Sequence, residues 1–331
     1  MYKIAFITEA GFTGKIQRDN PNMKLDLAWQ CILQSDHYPF SQYNQVQGYD
    51  FVLIIWPKAD IYLNSEGIRI SDTPRKGNSR VFELGEQIIN ELKSKNKKVG
   101  FIQEGPVWFS NDYDLALQIY HHNIIQESDF VLCHNYKDIS YYKGITNKPV
   151  KDFNSIMVKD LIQNINNAKE DKTIIGGNFS NWYGGFNSFL VAKNYDNPIW
   201  CPSMHNKQPG EEQLINHFPY MSWLDWMNEL SKFKYGIHLM PTAAAGTFSL
   251  NCAYFGIPCI GNQDLDTQMN CFPDLSIDVN DIERANKLSI RLKEDQDFYN
   301  HCSEFAKKTV QTYYDENKWL DRINKMLDEI Q

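Results

Sequence analysis

Residues 235–262 read YGIHLMPTAAAGTFSLNCAYFGIPCIGN and change periodicity twice within one short segment. Tyr235 to Met240 is a mostly apolar run with the character of a buried strand. Pro241 breaks it, and Thr242 to Gly246 form a loop of small residues. From Thr247 to Phe255 the pattern turns helical, with Phe248, Cys252 and Phe255 spaced for one face. Gly256 stands where a left-handed C-terminal cap would end the helix, and Ile257 to Ile260 begin another strand. A helix that starts after a small-residue loop offers unpartnered N–H groups to an anion. Ala243, Ala244, Ala245 and Gly246 would let such a ligand approach the backbone. The same pattern also belongs to any buried strand-loop-helix unit of an α/β protein, so both readings stand at this level.

On these residues the segment resembles the donor-binding segment of GT-B glycosyltransferases. There a Gly-rich loop opens a helix that ends in a Gly-x-Pro strand start. Many of those families carry a Glu five residues before that Gly and another eight residues earlier. This chain has Asn251 and Ala243 at the matching places. Asn251 can still hydrogen-bond a ribose hydroxyl, without the charge of a carboxylate. The missing pair points away from a retaining enzyme of the Glu-x7-Glu kind and towards inversion.

Composition sets outer bounds. At 331 residues the chain is long enough for two ordinary domains. Apolar residues make up 42% of it, which supplies a large core and argues against disorder. A formal net charge of −8 argues against a broadly basic nucleic-acid surface, though a local basic patch stays open. The seven cysteines form no C-x-x-C pair, so neither a zinc motif nor a redox motif is read. Met1 leads straight into a strand and no apolar run approaches the ~20 residues of a membrane span. The expectation is a cytoplasmic protein without integral membrane contact.

In the first half, Tyr2 to Thr8 reads as a buried parallel strand. The loop after it holds Gly11, Gly14 and Lys15, without P-loop spacing. In GT-B enzymes that loop faces the cleft, so the resemblance makes these three candidates for touching donor phosphate or acceptor; a plain turn with a solvated Lys fits equally. Residues 22–35 read as a helix and Tyr49 to Trp56 as a strand. Pro57 to Arg80 is a long polar connection with Arg69 and Arg75, a candidate acceptor contact or a solvated loop. Val81 to Leu92 is helical, and Lys97 to Ile102 is a strand with Gln103-Glu104-Gly105-Pro106 at its carboxyl end. Open α/β sheets bind ligands at such ends. Glu104, close to Trp108 and Phe109, is the candidate general base, since partial burial raises a carboxyl towards the useful range. Trp108 is a candidate acceptor contact. The order of elements here also resembles phage DNA β-glucosyltransferases, inverting enzymes in which an acidic residue after the strand is the base. Asp112 to Gln126 reads as a helix whose adjacent His121 and His122 point to different faces, a poor metal pair. Asp129 to His134 is a strand, Tyr141 to Asn154 reads as irregular, and Val158 to Ala168 as a short linking helix.

Thr173 to Gly177 restarts a strand. Gly177, Asn178 and Ser180 at its end resemble the GT-B loop that approaches the donor phosphates. Asn187 to Lys193 is helical and Ile199 to Pro202 a strand. Ser222 is placed to cap a helix over Trp223 to Lys232, with Asp225 at its third position. The preceding Phe218 to Met221 matches the loop that holds the nucleotide base, which makes Tyr220 and Met221 candidates; core packing explains the aromatics as well. His238, Met240, Thr242, Ala245, Gly246 and Thr247 are the donor candidates around the organising loop; a strand His hydrogen-bonded in the core fits position 238 at least as well. Asp264, Asp266 and Gln268 follow the next strand, where similar enzymes hold sugar hydroxyls. Helices are read over Ile282 to Lys293 and over Phe298 to Gln331, interrupted near 313–317.

The fold class is therefore α/β of GT-B architecture, two Rossmann-like doubly wound domains facing across a cleft. The expected boundaries are 1–160 for an acceptor domain, joined by a C-terminal helix at about 315–331, and 170–312 for the donor domain. The resemblance implies glycosyl transfer from a nucleotide sugar, with UDP as the expected nucleotide, and no required metal or other cofactor. The acceptor is a glycan or small molecule, or hydroxymethylated phage DNA. Two other readings stay open. A sugar-nucleotide 2-epimerase shares the fold, and a binding module that has lost catalysis would fit Ala243 and Asn251.

Overall fold

Ile4–Thr8 (β1) is buried along its whole length, as a parallel strand covered on both faces must be. This arrangement comes from a computed structural model that describes residues 2–55, 60–64, 67–71, 81–103, 105–108, 115–180, 183–202 and 207–331. The chain divides into two compact units. The first comprises Met1–Gln17, Asp26–Asn154 and Leu320–Gln331; the second comprises Arg18–Leu25 and Ser155–Trp319.

The first unit is built on a seven-stranded sheet. Its strands are β1, Gly14–Lys15 (β2), Asp36–Pro39 (β3), Phe51–Ile55 (β4), Lys98–Ile102 (β7), Phe130–Cys133 (β8) and Val150–Asp152 (β9). Across the sheet they run β2-β3-β1-β4-β7-β8-β9, parallel throughout except for β2 at one edge. Asp60–Asn64 (β5) and Gly67–Ser71 (β6) make a separate antiparallel hairpin in what the sequence presents as a polar loop. The helices are Leu25–Leu33 (α1), Val81–Lys95 (α2), Leu115–Glu127 (α3) and Ile139–Ile145 (α4). The core gathers Val52, Ile54, Val99, Phe101 and Val131 from the sheet with Ile88, Ile89 and Leu92 of α2 and Tyr120 and Ile124 of α3. α4 and β9 occupy the segment read from sequence as irregular.

The second unit carries a six-stranded, wholly parallel sheet. Its strands are Glu170–Ile175 (β10), Ile199–Pro202 (β11), Asn216–Phe218 (β12), Phe233–His238 (β13), Cys259–Asn262 (β14) and Ser276–Ile277 (β15). Its helices are Gly185–Ala192 (α5), Trp223–Leu230 (α6), Thr247–Tyr254 (α7), Asp266–Cys271 (α8), Ile282–Glu294 (α9) and Gln296–Thr312 (α10). Glu316–Ile330 (α11) follows, and its residues from Leu320 belong to the first unit. There Asp328 and Glu329 meet Tyr2 and Lys151.

The expected helix over Val158 to Ala168 does not form. Ile156, Met157 and Val158 are consecutive and all buried, which suits extended chain better than a helix with a solvent face. The Asn-rich residues beyond them favour turns over helix. All seven cysteines are free and buried.

Local capping chemistry accounts for α6. Ser222 has extended backbone angles, and its Oγ accepts from the Asp225 N–H at 3.1 Å while donating to the Asp225 carboxylate at 2.7 Å. Ser222→Ala removes both bonds. It should cost about 1 kcal/mol, read as a lower unfolding midpoint in calorimetry, whereas Ser222→Thr should keep most of the stability.

Candidate functional site

Counted in chain order, the strands of the second unit lie 3-2-1-4-5-6 across their sheet. The order of addition reverses between β10 and β13, and in open α/β sheets a crevice forms outside the carboxyl ends of the strands at such a point. The two segments emerging there are Gly176–Ser180 after β10 and Leu239–Gly246 after β13. These are the segments singled out from sequence for the donor phosphates. Their strands are in register, Ile174 opposite Gly236 and Ile175 opposite Ile237, and the Gly176 N–H donates to the Ile237 carbonyl at 2.9 Å.

Glycine at 176 is a steric requirement. A Cβ there would stand 2.1 Å from Cδ2 of His238. The His238 ring is thereby held over the end of β10, with the Phe248 ring 4.9 Å away. Burial pushes the His238 imidazole down to about 4, so it is neutral at neutral pH. Its Nδ1 has no hydrogen-bond partner among the described residues, and neither has the buried Oγ of Ser180. Buried polar atoms in this state call for a partner that the described residues do not supply.

The loop from Met240 to Gly246 is held by its carbonyl oxygens. Met240 O accepts from Asn262 Nδ2 at 3.0 Å, Ala245 O accepts from Ser155 Oγ, and Gly246 O accepts from Thr267 Oγ1 at 2.7 Å. Gly246 is the N-cap of α7 in the left-handed region, φ 64°, and brings no side chain to close the helix end. The first amides of α7 thus receive no cap from the N-cap side chain, which leaves them suited to water or a ligand. Thr247 is half-buried at the first helical position, Thr242 is buried in the loop, and Met240 and Ala245 are half-buried. Asn251 lies one turn further along α7, buried.

The turn after β14 carries Asp264 and Asp266, both half-buried. Asn262 fixes this turn by accepting from the Asp264 N–H at 2.9 Å. Gln268 departs from the expectation of a sugar contact. It is fully buried, its Nε2 donates to Cys259 O at 2.8 Å, and its Oε1 accepts from Ser249 Oγ at 2.7 Å. Its amide is a strut between α8, α7 and β14. Of the base-loop candidates, Met221 is half-buried and Tyr220 is 79% exposed with Lys24 Nζ over its ring. Phe218 instead stacks inside on Trp200. Gly177 and Asn178 lie in the loop after β10, where Phe179 N donates to Glu211 Oε1 at 3.1 Å.

Glu211 belongs to the one group of possible metal ligands among the described residues, with Cys201 and His217. Hydrogen bonds already account for it. The buried Glu211 carboxylate accepts from Phe179 N and Gln208 N and meets His217 Nε2 at 2.8 Å. Burial pushes the Cys201 thiol up to about 12, which keeps it protonated beside the Glu211 carboxylate. The group braces the loop after β10 against the β11–β12 connection.

In the first unit, the loop after β1 is pinned by a residue the sequence did not single out. His37, on β3, is buried; its Nδ1 donates to Phe12 O at 2.7 Å and its Nε2 accepts from Thr8 Oγ1 at 2.8 Å. The Phe12 ring stacks on it with centroids 3.8 Å apart, and burial lowers its pKa. Gly11 and Lys15 of this loop are exposed, and Gly14 has a φ of 110°. At the end of β7, Gln103 Nε2 donates to Gly105 O at 2.8 Å and to Asp138 Oδ2 at 2.9 Å. Glu104 and Arg75 lie outside the described residues. The backbone of Arg69 lies on β6 opposite Tyr62, and Trp108 is 36% exposed. No helix among the described residues is long and apolar enough to cross a membrane.

No protein-family description matches the chain, and no curated protein matches it by sequence. Solved structures are similar over its whole length. An alpha-glucosyltransferase in complex with UDP and a 13-mer DNA containing an HMU base is 12% identical, with a TM-score of 0.63 and 99% of each chain covered. HepE from Anabaena, in complex with UDP and glucose, is 10% identical, with a TM-score of 0.63 and coverage of 99% of this chain and 100% of that one. Sucrose-phosphate synthase from Thermosynechococcus elongatus is 10% identical, with a TM-score of 0.62 and 99% of each chain covered. With two Rossmann-like units, each on a mainly parallel sheet, the chain has the fold of the GT-B glycosyltransferases.

Proposed function

We propose that the chain is a glycosyltransferase that moves a sugar from a UDP-sugar to an acceptor hydroxyl. The observation that carries this reading is the end of α7. An N-terminus without a side-chain cap stands at the strand-order reversal of the second unit, behind a loop whose Met240, Ala245 and Gly246 carbonyls accept hydrogen bonds from side chains. Amides so arranged are suited to a diphosphate, and they gain most when the leaving group carries its full charge. Two of the similar structures hold UDP.

In this reading the second unit takes the donor. Gly177, Asn178, Ser180, Thr242, Ala245, Gly246 and Thr247 face the diphosphate, with His238 and Met240 beside them. Asn251 meets the ribose, Tyr220 and Met221 the base, and Asp264 and Asp266 the sugar. The first unit takes the acceptor. Glu104 removes the proton from the attacking hydroxyl, Arg69, Arg75 and Trp108 contact the acceptor, and Gly11, Gly14 and Lys15 serve the donor phosphates. The oxygen–carbon bond forms as the bond from the anomeric carbon to the diphosphate breaks, and the diphosphate leaves with the electron pair. A single displacement inverts the anomeric carbon. The amides of α7 meet the charge that develops on the diphosphate, a task that requires no metal. With a net charge of −8, the acceptor is a glycan or a small molecule before it is DNA.

A thermal-shift screen of UDP, GDP, CMP and dTDP tests the donor. UDP at 100 times its Kd should add about 2.7 kcal/mol and raise the midpoint by a few degrees; no shift with any nucleotide would remove the reading. Gly246→Ala places a methyl 2.0 Å from Thr267 Oγ1 at a positive φ. It should weaken UDP at least about tenfold, one decade being ~1.4 kcal/mol. Glu104→Gln should abolish transfer and leave the UDP shift intact. NMR of the product's anomeric proton checks the displacement: an α-linkage formed from an α-configured UDP-sugar would exclude Glu104 as the base of a single displacement.

A further inference from the structure

The amides of α7 can serve a ligand only if the residue before them holds an unusual conformation, and the chain has a dedicated group for that. Gly246 sits at φ 64° and ψ 26°. Its carbonyl accepts from the buried Thr267 Oγ1 at 2.7 Å. Thr267 lies on α8, directly after Asp266 and directly before Gln268. Gln268 in turn accepts from Ser249 on the first turn of α7 at 2.7 Å. Two successive residues of α8 thus grip the N-cap and the first turn of α7. One residue earlier, Ser155 Oγ donates to Ala245 O.

These bonds share one direction. The side chains draw carbonyl oxygens towards the protein interior, and a peptide plane whose oxygen is held inward presents its N–H the other way. Nothing about packing requires a hydroxyl at 267. Valine keeps the branched outline and lacks the hydroxyl, so Thr267→Val removes the bond to Gly246 O with little change in volume.

We propose that Thr267 is a positioning residue: through Gly246 it aims the amide end of α7, with Ser155 holding the neighbouring peptide in the same way. The inference rests on the donor reading of this site and deepens it, because it separates how the site holds phosphate from how it holds the nucleoside. It also ties two parts of the donor together. Thr267 follows Asp266, so the turn proposed for the sugar and the amides proposed for the diphosphate are carried by one short helix, and a shift of α8 moves both.

The test titrates UDP and uridine into wild type, Thr267→Val, Thr267→Ser and Ser155→Ala, following binding by NMR and folding by thermal midpoint. Thr267→Val should lose about tenfold in UDP affinity, the scale of one good hydrogen bond to a charged ligand, and keep its uridine affinity. Thr267→Ser, which retains the hydroxyl, should bind UDP as wild type does. Ser155→Ala should repeat the selective loss, and it carries the test if Thr267→Val does not fold. UDP binding unchanged in both deletions, or equal losses for UDP and uridine, would overturn the inference while leaving the donor site standing. Wild-type protein that binds no UDP would overturn the donor site itself.

Discussion

The register between β10 and β13, Ile174 beside Gly236 and Ile175 beside Ile237, fixes which loops of the second unit face each other. A parallel sheet sends all its carboxyl ends to one edge. Chain order then determines which of those ends are neighbours. Because β10 and β13 are adjacent in space and separated in sequence by two other strands, Gly176 after one comes against His238 at the end of the other. The close approach needs Gly176, since any side chain there would strike His238. A single contact between strands therefore explains the position of the candidate site, its glycine requirement and the burial of its histidine.

Electrostatics follows from that geometry. His238 is neutral because it is buried, so it contributes a hydrogen-bonding nitrogen and not a charge. The amides and dipole at the start of α7 favour negative charge there and titrate at no accessible pH. The brace formed by Glu211, His217 and the Phe179 N–H works on the opposite flank, where a buried carboxylate spends its acceptor capacity on the backbone. Loops braced in this way reduce the ordering cost of binding a flexible ligand.

Much of this was legible in the sequence, for reasons that differ along the chain. The strand, loop and helix of residues 235–256 are marked by local chemistry: an apolar run, a proline, small residues and a terminal glycine, here at φ 61°. The Ser222 cap is equally local. What could not be read depends on contacts between segments distant in sequence. Gln268 looked like a ligand for sugar hydroxyls; that its amide is consumed by Cys259 and Ser249 is decided only when α8 folds against α7 and β14. His37 gave no signal because the four-residue β3 that carries it is too short for periodicity to reveal. Ser155 and Thr267 are common residues in unremarkable surroundings, and their role lies entirely in which carbonyl each one meets. Val158 to Ala168 failed as a helix because its entry is buried on every side, a fact of tertiary packing.

The seven buried thiols have a consequence of their own. Cys31 and Cys133 belong to the first unit, and Cys201, Cys252, Cys259, Cys271 and Cys302 to the second. A thiol reagent can reach none of them without local opening, and Cys252 and Cys259 lie together beside Gly236, so those two report on one region. The native chain thus carries a set of silent reporters, two in one unit and five in the other. The rate at which each becomes labelled would map where the protein breathes, and whether one half loosens while the other stays closed.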